Sequence, residues 1–168
     1  MKTEELRAIQ APLKNKYRED PKAAMITLRA DGKIGEGISC KIETGRAMAE
    51  AGLHPATGGN GMLACSGDLL LEALVACAGV TLSAVATAIG VDIVDGTIIA
   101  EGDLDFRGTL GVSKDVKVGF TAIRLLFKIK CEEEEEKIQT LLRLTERYCV
   151  VYQTLIAATE VNTAIEVN

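Results

Sequence analysis

Residues 67–90 read GDLLLEALVACAGVTLSAVATAIG and form a long apolar stretch with Cys77 near its middle. Its polar side chains other than Cys77 and the flanking Asp68 are few: Glu72, Thr81, Ser83 and Thr87. Because a helix that is apolar nearly all round is a buried helix, this stretch predicts a central core helix. Asp68 is predicted as the N-cap, since a carboxylate accepts from the free backbone donors of a first turn. Gly90 is predicted to end the helix because glycine adopts the left-handed conformation without strain.

A run of about 20 apolar residues is also long enough to span a bilayer. Asp68 and Asp92 bound this run, and the closest basic residues are the distant Arg46 and Arg107. No positive cluster sets an orientation, and many residues are small ones that suit close packing. The core-helix interpretation is therefore favoured over a membrane span, and no membrane partner is expected.

The length of 168 residues fits one domain, or one domain with a short appendage. We predict an N-terminal helical arm over 1–22 and a main domain over 23–168. Hydrophobic residues make up 48% and aromatic residues 4%, so the core is aliphatic. The net charge of −5 disfavours nucleic acid as a partner. The N-terminus lacks the apolar segment that is typical of a signal peptide.

The five cysteines are odd in number and irregularly spaced, unlike a secreted disulfide framework. No pair has the C-x-x-C spacing, and the only histidine is His54, in a loop where it is interpreted as structural. We therefore expect no metal and no cofactor. Free thiols are typical of a reducing compartment, so the predicted location is cytoplasmic.

Alternation and turn signals predict the other elements of an α+β fold. Before the central helix we predict a helix over 3–18 interrupted at Pro12, a hairpin of 24–30 and 35–43 turning at Asp31 and Gly32, and a loop over 44–67 with a helical turn at 46–51. After it we predict strands in 91–106 and 116–131, joined by a hairpin loop at 108–115. The chain then continues with a helix that starts in the glutamates 132–136 and ends near Arg147 and Tyr148, a short helix after Cys149, and a final strand over 163–168. A slip in the alternation at 123–125 indicates a β-bulge in the second long strand.

Two thiols are candidates for chemistry. Cys77 lies within the central helix, and Cys149 lies at a junction between two helices, where backbone donors of a helix N-terminus stabilise a thiolate. Arg147 is close in sequence and adds positive potential. The alternative is that each cysteine is a small hydrophobe of the core. On the residues alone both interpretations stay open.

Two motifs carry a resemblance to a known family. GDLLLEALVACAGVTL resembles the helix signature of the OsmC/Ohr family, with the leucine triplet, Cys77 and the Thr-Leu pair in register. CVVYQTL at 149–155 resembles its second signature, and the likeness extends over about 23–168. The resemblance implies an α+β, two-layer OsmC-like fold with antiparallel sheets around a long central helix. It further implies an intertwined homodimer with both cysteines near the subunit interface.

The resemblance also implies an activity, the reduction of organic hydroperoxides in oxidative and osmotic stress defence. Cys77 would be the peroxidatic thiolate that becomes a sulfenic acid. Cys149 would resolve it as a disulfide, which a dithiol such as dihydrolipoamide then reduces. A nearby second thiol prevents the irreversible oxidation of a sulfenic acid, which gives this pairing a chemical reason.

The sequence departs from the family pattern around these cysteines. Gly67 stands where the peroxidase members carry a catalytic Glu, and Asp68 aligns with the Glu of the family's E-L-L motif. Arg29 is one position away from the expected activating Arg, Glu72 is an unexpected charge, and Val150 replaces a Pro. These departures support an alternative function, that of an OsmC-like dimeric small-molecule-binding or redox protein without peroxidase turnover.

Overall fold

The computed structural model of the chain describes residues 3–34, 40–42, 52–62 and 64–167. The helical turn expected at 46–51 lies outside the described residues, as do 35–39 between the first two strands. The side chains of 28–34 and 40–42 are not described either, and this includes Arg29 and Cys40.

The described elements combine helices with antiparallel strands, as expected for an α+β fold. In chain order they are α1 Thr3–Glu19, β1 Met25–Ile34, β2 Cys40–Ile42, α2 Ser66–Ile89, β3 Asp95–Asp105, α3 Phe106–Thr109, β4 Phe120–Lys130, α4 Glu135–Tyr148 and α5 Val150–Ile156, with single 3-10 turns at Pro21–Ala24 and Pro55–Thr57. The two long strands and the helices α2, α4 and α5 lie where the sequence predicts them.

The described strands form one antiparallel sheet in the order β2-β1-β3-β4. Helix α2 packs on this sheet, mainly on β1 and β3, and α4 and α5 pack on α2. Between the layers lies an aliphatic core in which Leu71, Leu74 and Ile98 are fully buried. The predicted two-layer α+β fold is therefore confirmed.

The ends of α2 follow the prediction at the C-terminus only. Gly90 has φ 69°, and its N–H donates to the carbonyls of Ala86 and Thr87, which closes the helix. The N-cap is Cys65, and the prediction of Asp68 for that position is wrong. The extended backbone of Cys65 (ψ 133°) starts the helix three residues earlier, so Asp68 lies in its first turn. A carboxylate there still meets the positive end of the helix dipole.

Helix α2 is the one described helix that is long and apolar enough to cross a membrane. Half of its most apolar 18-residue window is buried inside the protein, against the sheet and the neighbouring helices. This packing is that of a core helix. The other face is open, however, so the expectation of burial all round is wrong for this chain taken singly. Leu70 and Val80 are 38% and 39% exposed.

Helix α1 packs on the rest of its own chain. Tyr17 is buried in the main core, and its hydroxyl donates to the Ala56 carbonyl at 2.7 Å. The side chain of Gln10 donates to the Thr57 carbonyl at 3.2 Å. The helix continues through Pro12, where an interruption was predicted. Pro12 is exposed, and the helix tolerates the loss of one backbone hydrogen bond at this position.

Two local features of the sheet differ from the prediction because strand pairing overrides local signals. Asp31 and Gly32, predicted as a turn, continue β1 and pair with Ile99 and Ile98 of β3. The long partner strand holds β1 straight through a dipeptide that favours a turn. The connection between β1 and β2 therefore begins after Ile34, and not at Asp31 and Gly32.

The β-bulge lies at Thr121 and not at 123–125. The register shifts between Asp103, opposite Ala122, and Leu104, opposite Phe120, so that Thr121 is the additional residue. The hydroxyl of Thr121 donates to the Asp103 carbonyl at 3.0 Å. This bond satisfies the backbone carbonyl beside the bulge, where the regular ladder of hydrogen bonds is interrupted.

The C-terminal segment is not a strand. Residues 159–167 have no regular secondary structure and are exposed. The alternation of Val161, Ile165 and Val167 is that of a strand, but pairing needs a neighbouring edge, and the segment meets none among the described residues of this chain.

Candidate active site

The structure brings Cys77 and Cys149 into contact. Cys77 lies halfway along α2, and Cys149 is the single residue between α4 and α5, closing the first helix and opening the second. The N–H of Cys149 donates to the Thr145 carbonyl, and its carbonyl accepts from Gln153, each at 2.9 Å. Because Cys149 both ends α4 and begins α5, the start of α5 lies against the middle of α2. The two thiols therefore form a hydrogen-bonded pair.

Several donors surround the sulfur of Cys77. Partial burial by itself would raise the pKa of this thiol. The N–H groups of Val151 and Val150 donate to the sulfur, as do the thiol of Cys149 and the hydroxyl of Thr81, and together they hold the pKa below its ordinary value. These donors make the thiolate of Cys77 easier to form than that of an ordinary cysteine.

Cys149 has the opposite character. It is 1% exposed, and burial raises the pKa of its thiol to about 11, with a further rise from the hydrogen bond to the Cys77 sulfur. The N–H of Tyr152 opposes this rise only in part. Cys149 therefore keeps its proton at neutral pH and donates a hydrogen bond towards the Cys77 sulfur.

The surroundings of the pair are apolar. Cys77 and Cys149 pack in the main core cluster with Leu74, Val151 and Leu155. A cavity of about 720 Å³ opens between α2, α4, α5 and β4, and its lining residues include Leu74, Phe127, Leu141, Glu146, Tyr152 and Leu155. Leu74 lies one helical turn before Cys77, but neither Cys77 nor Cys149 is among the residues that line the cavity.

The described arginines are occupied elsewhere. The Arg147 guanidinium lies 5.4 Å from the ring centre of Tyr148 and is not among the groups bonded to Cys77. Arg124 binds Asp103 and Glu101 on the exposed face of the sheet, and Arg107 binds Asp105. The position of Arg29 in β1 is opposite Glu101, in the same row as Arg124. The Cys77 thiolate is thus stabilised by neutral hydrogen-bond donors in the described part of the chain.

The remaining polar candidates lie near the start of α2. Burial raises the pKa of Glu72, and the neighbouring Asp68 adds to this rise.

His54 is structural, as predicted: its Nδ1 accepts from the Ala56 N–H at 3.0 Å, and its ring stacks on Phe106 at 5.1 Å between centres. Gly67 lies in the first turn of α2, with no side chain to offer. Among the described residues no group of His, Cys, Asp and Glu has the arrangement of a metal site.

Thr81 is the member of the site that the sequence interpretation did not single out. It stood in the quoted motif only as part of the Thr-Leu pair. The spacing in the sequence could have indicated Thr81, because a residue four places after Cys77 lies on the same helix face.

Fold and site together define an α+β protein with a buried helix that carries a polarised thiol pair. The sequence model of the family described as OsmC-like protein matches residues 59–164, more than half of the chain. The chain therefore belongs to the OsmC-like family, which confirms the resemblance seen in its two motifs. Among curated proteins no sequence matches it.

Two solved structures share the fold. One is an OsmC-like hydroperoxide resistance protein from Jannaschia sp. CCS1, with 16% identity and a TM-score of 0.64, over 86% of this chain and 95% of the other. The second is an OsmC-like protein from Mycoplasma pneumoniae, with 18% identity and a TM-score of 0.55, over 80% and 86%. At these identities the similarity establishes the fold.

Proposed function

We propose that this protein is a thiol-dependent peroxidase that reduces organic hydroperoxides in oxidative and osmotic stress defence. The observation that carries the proposal is the hydrogen-bonded pair of Cys77 and Cys149 with opposite pKa shifts. A peroxidase needs one sulfur as a nucleophilic thiolate and a second thiol within reach to capture the oxidised product. The similarity to a hydroperoxide resistance protein from Jannaschia sp. CCS1 supports the same function.

In the first step the Cys77 thiolate attacks the terminal oxygen of the hydroperoxide. A sulfur–oxygen bond forms, the oxygen–oxygen bond breaks, and Cys77 becomes a sulfenic acid. The departing alkoxide takes a proton and leaves as the alcohol. The Cys149 thiol, already hydrogen-bonded to the reacting sulfur, is the proton donor for this step.

In the second step Cys149, now a thiolate, attacks the Cys77 sulfenic acid. A disulfide forms, the sulfur–oxygen bond breaks, and the hydroxide takes up the proton that Cys77 lost on ionisation. The net change is two thiols and one hydroperoxide to a disulfide, an alcohol and water. An external dithiol, such as dihydrolipoamide, then reduces the disulfide by exchange and restores both thiols.

The preference for organic hydroperoxides follows from the apolar surroundings. Leu74 and Leu155 pack in the same core cluster as the thiol pair, and with Phe127 they also line the cavity between the helices and β4. An alkyl or aryl group gains free energy by leaving water for such a lining, whereas hydrogen peroxide does not. A substrate with an apolar group beside its peroxide bond is therefore favoured.

The protein acts as a homodimer, by the same proposal. The open face of α2 carries a row of residues three and four places apart, with Cys77 in its centre: Leu70, Ala73, Cys77, Val80, Ala84 and Thr87. Small side chains at this spacing allow another helix to approach closely. The exposed Val161, Ile165 and Val167 of the C-terminal segment, each at least 80% exposed, also favour a partner that buries them.

A cytoplasmic location completes the proposal. All four described cysteines are free thiols, which suits a reducing compartment and a cycle that starts from two reduced sulfurs.

Stopped-flow mixing of the reduced protein with cumene hydroperoxide tests this function. Two thiols per chain should be lost, and peptide mapping without reductant should find a disulfide between Cys77 and Cys149. Cys77→Ser should abolish turnover with dihydrolipoamide, and Cys65→Ser is the matched control that keeps it. Turnover that survives in Cys77→Ser would contradict the proposal.

A second candidate function is that of a dimeric small-molecule-binding or redox protein without peroxidase turnover. Gly67 favours it, because the carboxylate that peroxidase relatives carry at this position is missing. Slow oxidation by cumene hydroperoxide, with crosslinks of Cys65 or Cys131 in place of the expected pair, would select this function. The cavity would then be its binding site.

A further inference from the structure

His54 holds the turn Pro55–Thr57 with both its side chain and its backbone. Its Nδ1 accepts a hydrogen bond from the Ala56 N–H at 3.0 Å, which makes His54 the N-cap of this turn. Its carbonyl accepts from the N–H groups of Thr57 and Gly59, at 2.8 and 3.1 Å, and from the Thr57 hydroxyl at 2.9 Å. Because Nδ1 is the acceptor, the proton of the neutral ring lies on Nε2.

The N-terminal helix α1 is anchored on the same turn. The Tyr17 hydroxyl donates to the Ala56 carbonyl at 2.7 Å, and the Gln10 amide donates to the Thr57 carbonyl at 3.2 Å. Both acceptors belong to the backbone of the turn, so their positions change if the turn opens. The docking of α1 therefore depends on the turn that His54 caps.

The ring of His54 lies in surroundings that favour its neutral form. The residue is half-buried, and the ring stacks on Phe106 with 14° between the two ring planes. Burial lowers the pKa of His54, and the carboxylate of Asp68 on α2 opposes this change. Protonation would place a second N–H at Nδ1, directly against the N–H of Ala56, because an imidazolium has no acceptor.

The other titratable groups around the ring are paired or neutral. On α3, Asp105 and Arg107 lie on either side of Phe106 and form an ion pair with each other. On α1, burial raises the pKa of Tyr17, so its hydroxyl stays protonated and remains a donor. Among the described residues, Asp68 is thus the charged group that acts on the ring of His54.

We propose that His54 is a pH-sensitive cap that controls the docking of the N-terminal helix: protonation of Nδ1 breaks the cap of the turn and loosens α1. The pKa of His54 is lowered in the docked state. Docking is therefore strongest above the ordinary pKa of histidine, ~6.5, and weakens as the pH falls from there through the lowered value.

The consequence reaches the main core. Leu13 and Tyr17 of α1 pack in the core cluster that contains Leu74 and Cys149. Loosening α1 at acidic pH would uncover one side of that cluster. The inference concerns the reduced protein without substrate, so it does not depend on the proposed peroxidase.

Hydrogen exchange followed by mass spectrometry measures how firmly α1 is docked. The amides of α1 are compared at pH 7.5 and pH 5.0 as protection factors, each corrected for the intrinsic exchange rate at that pH. The protection of α1 in the wild type should fall ~5-fold at pH 5.0, the effect of losing about one hydrogen bond. The amides of α4 report on the rest of the protein and should keep their protection.

Two substitutions separate the titration of His54 from its shape. His54→Asn keeps an acceptor for the Ala56 N–H, because asparagine is a good N-cap and its carbonyl oxygen does not titrate. The protection of α1 in this variant should be the same at both pH values. His54→Phe keeps an aromatic ring for stacking and has no acceptor, so its α1 protection should be low at both. Circular dichroism checks that each variant is folded.

Three results would overturn this role of His54. The first is an α1 protection factor in the wild type that is equal at pH 7.5 and pH 5.0. The second is an equal loss of protection in His54→Asn, because another group would then be the one that titrates. The third is a loss that includes the amides of α4, since acid would then destabilise the whole protein.

Discussion

Two cysteines of identical covalent structure differ in acidity because of where their sulfurs lie. The Cys77 sulfur receives hydrogen bonds from four groups, which lower the pKa of its thiol by stabilising the charged form. The Cys149 sulfur is buried, which raises the pKa of its thiol to about 11, so it keeps its proton. In the proposed reaction this difference sets the order of events at the residue scale: Cys77 would attack the peroxide first, and Cys149 would act as the nucleophile in the second step.

The pH dependence of oxidation tests this polarity. For an acid whose pKa is lowered, the charged form persists as pH falls, until the pH passes through the lowered pKa. The rate with cumene hydroperoxide should therefore reach its plateau below the pH at which an ordinary thiol ionises. Cys149→Ala removes one donor and should move the midpoint of the first oxidation step upward. Stopped-flow rates from pH 5 to 10 measure this shift.

Cys131→Ala serves as the control for Cys149→Ala, since Cys131 is a free thiol that makes no contact with the pair in the described interactions. Its midpoint should match that of the wild type. A midpoint for Cys149→Ala at or below the wild-type value would show that the Cys149 thiol does not stabilise the Cys77 thiolate.

At the scale of elements, a lysine side chain joins the start of α4 to the end of α2. The Nζ of Lys137, in the first turn of α4, donates to the Gly90 carbonyl at the end of α2 at 2.8 Å and to the Glu133 carboxylate at 2.9 Å. A cation at a helix C-terminus meets the negative end of the dipole. This contact fixes the start of α4, and so helps to set where Cys149 meets α2.

Replacing Lys137 by Met should lower the free energy of unfolding by about 1 kcal/mol, the usual contribution of one such hydrogen bond. Methionine keeps the length of the side chain and loses the charge. Urea denaturation followed by circular dichroism measures the change. Lys128→Met, on the exposed face of β4, is the control and should stay close to the wild type. Equal stability of the two variants would show that the contact contributes nothing.

At the scale of the whole molecule, the helices cover one face of α2 and leave the row around Cys77 open. An apolar row of this kind is buried in a stable protein or used as an interface. In the proposed homodimer the second copy covers this row, which shields the sulfenic acid from water and from further oxidation. The dimer is thus part of the proposed chemistry as well as of the assembly.

Val80→Glu should convert the dimer into a monomer, because two carboxylates would have to be buried at the centre of the interface. Size-exclusion chromatography with light scattering measures the mass. Val94→Glu places the same charge on a residue that is 67% exposed and lies outside the row, and it should remain dimeric. A wild-type protein that is monomeric at micromolar concentration would contradict the proposed dimer.

The sequence by itself determined the elements that depend on local patterns. The apolar run of α2, the stop at Gly90 and the end of α4 at Tyr148 were readable because helix periodicity and capping act within a few residues. The two family motifs identified Cys77 and Cys149 as candidates. Asp31 and Gly32, a clear local turn signal, gave the wrong position because β3 continues the pairing across them.

Only the tertiary structure decided how those elements meet. That Cys149 donates to Cys77 and that the two pKa values move apart are consequences of the start of α5 lying against the middle of α2. The bulge at Thr121 likewise depends on the register with Asp103. Hydrogen bonding and burial are properties of groups distant in sequence, so the acidity of a thiol is decided by the fold and not by its neighbours along the chain.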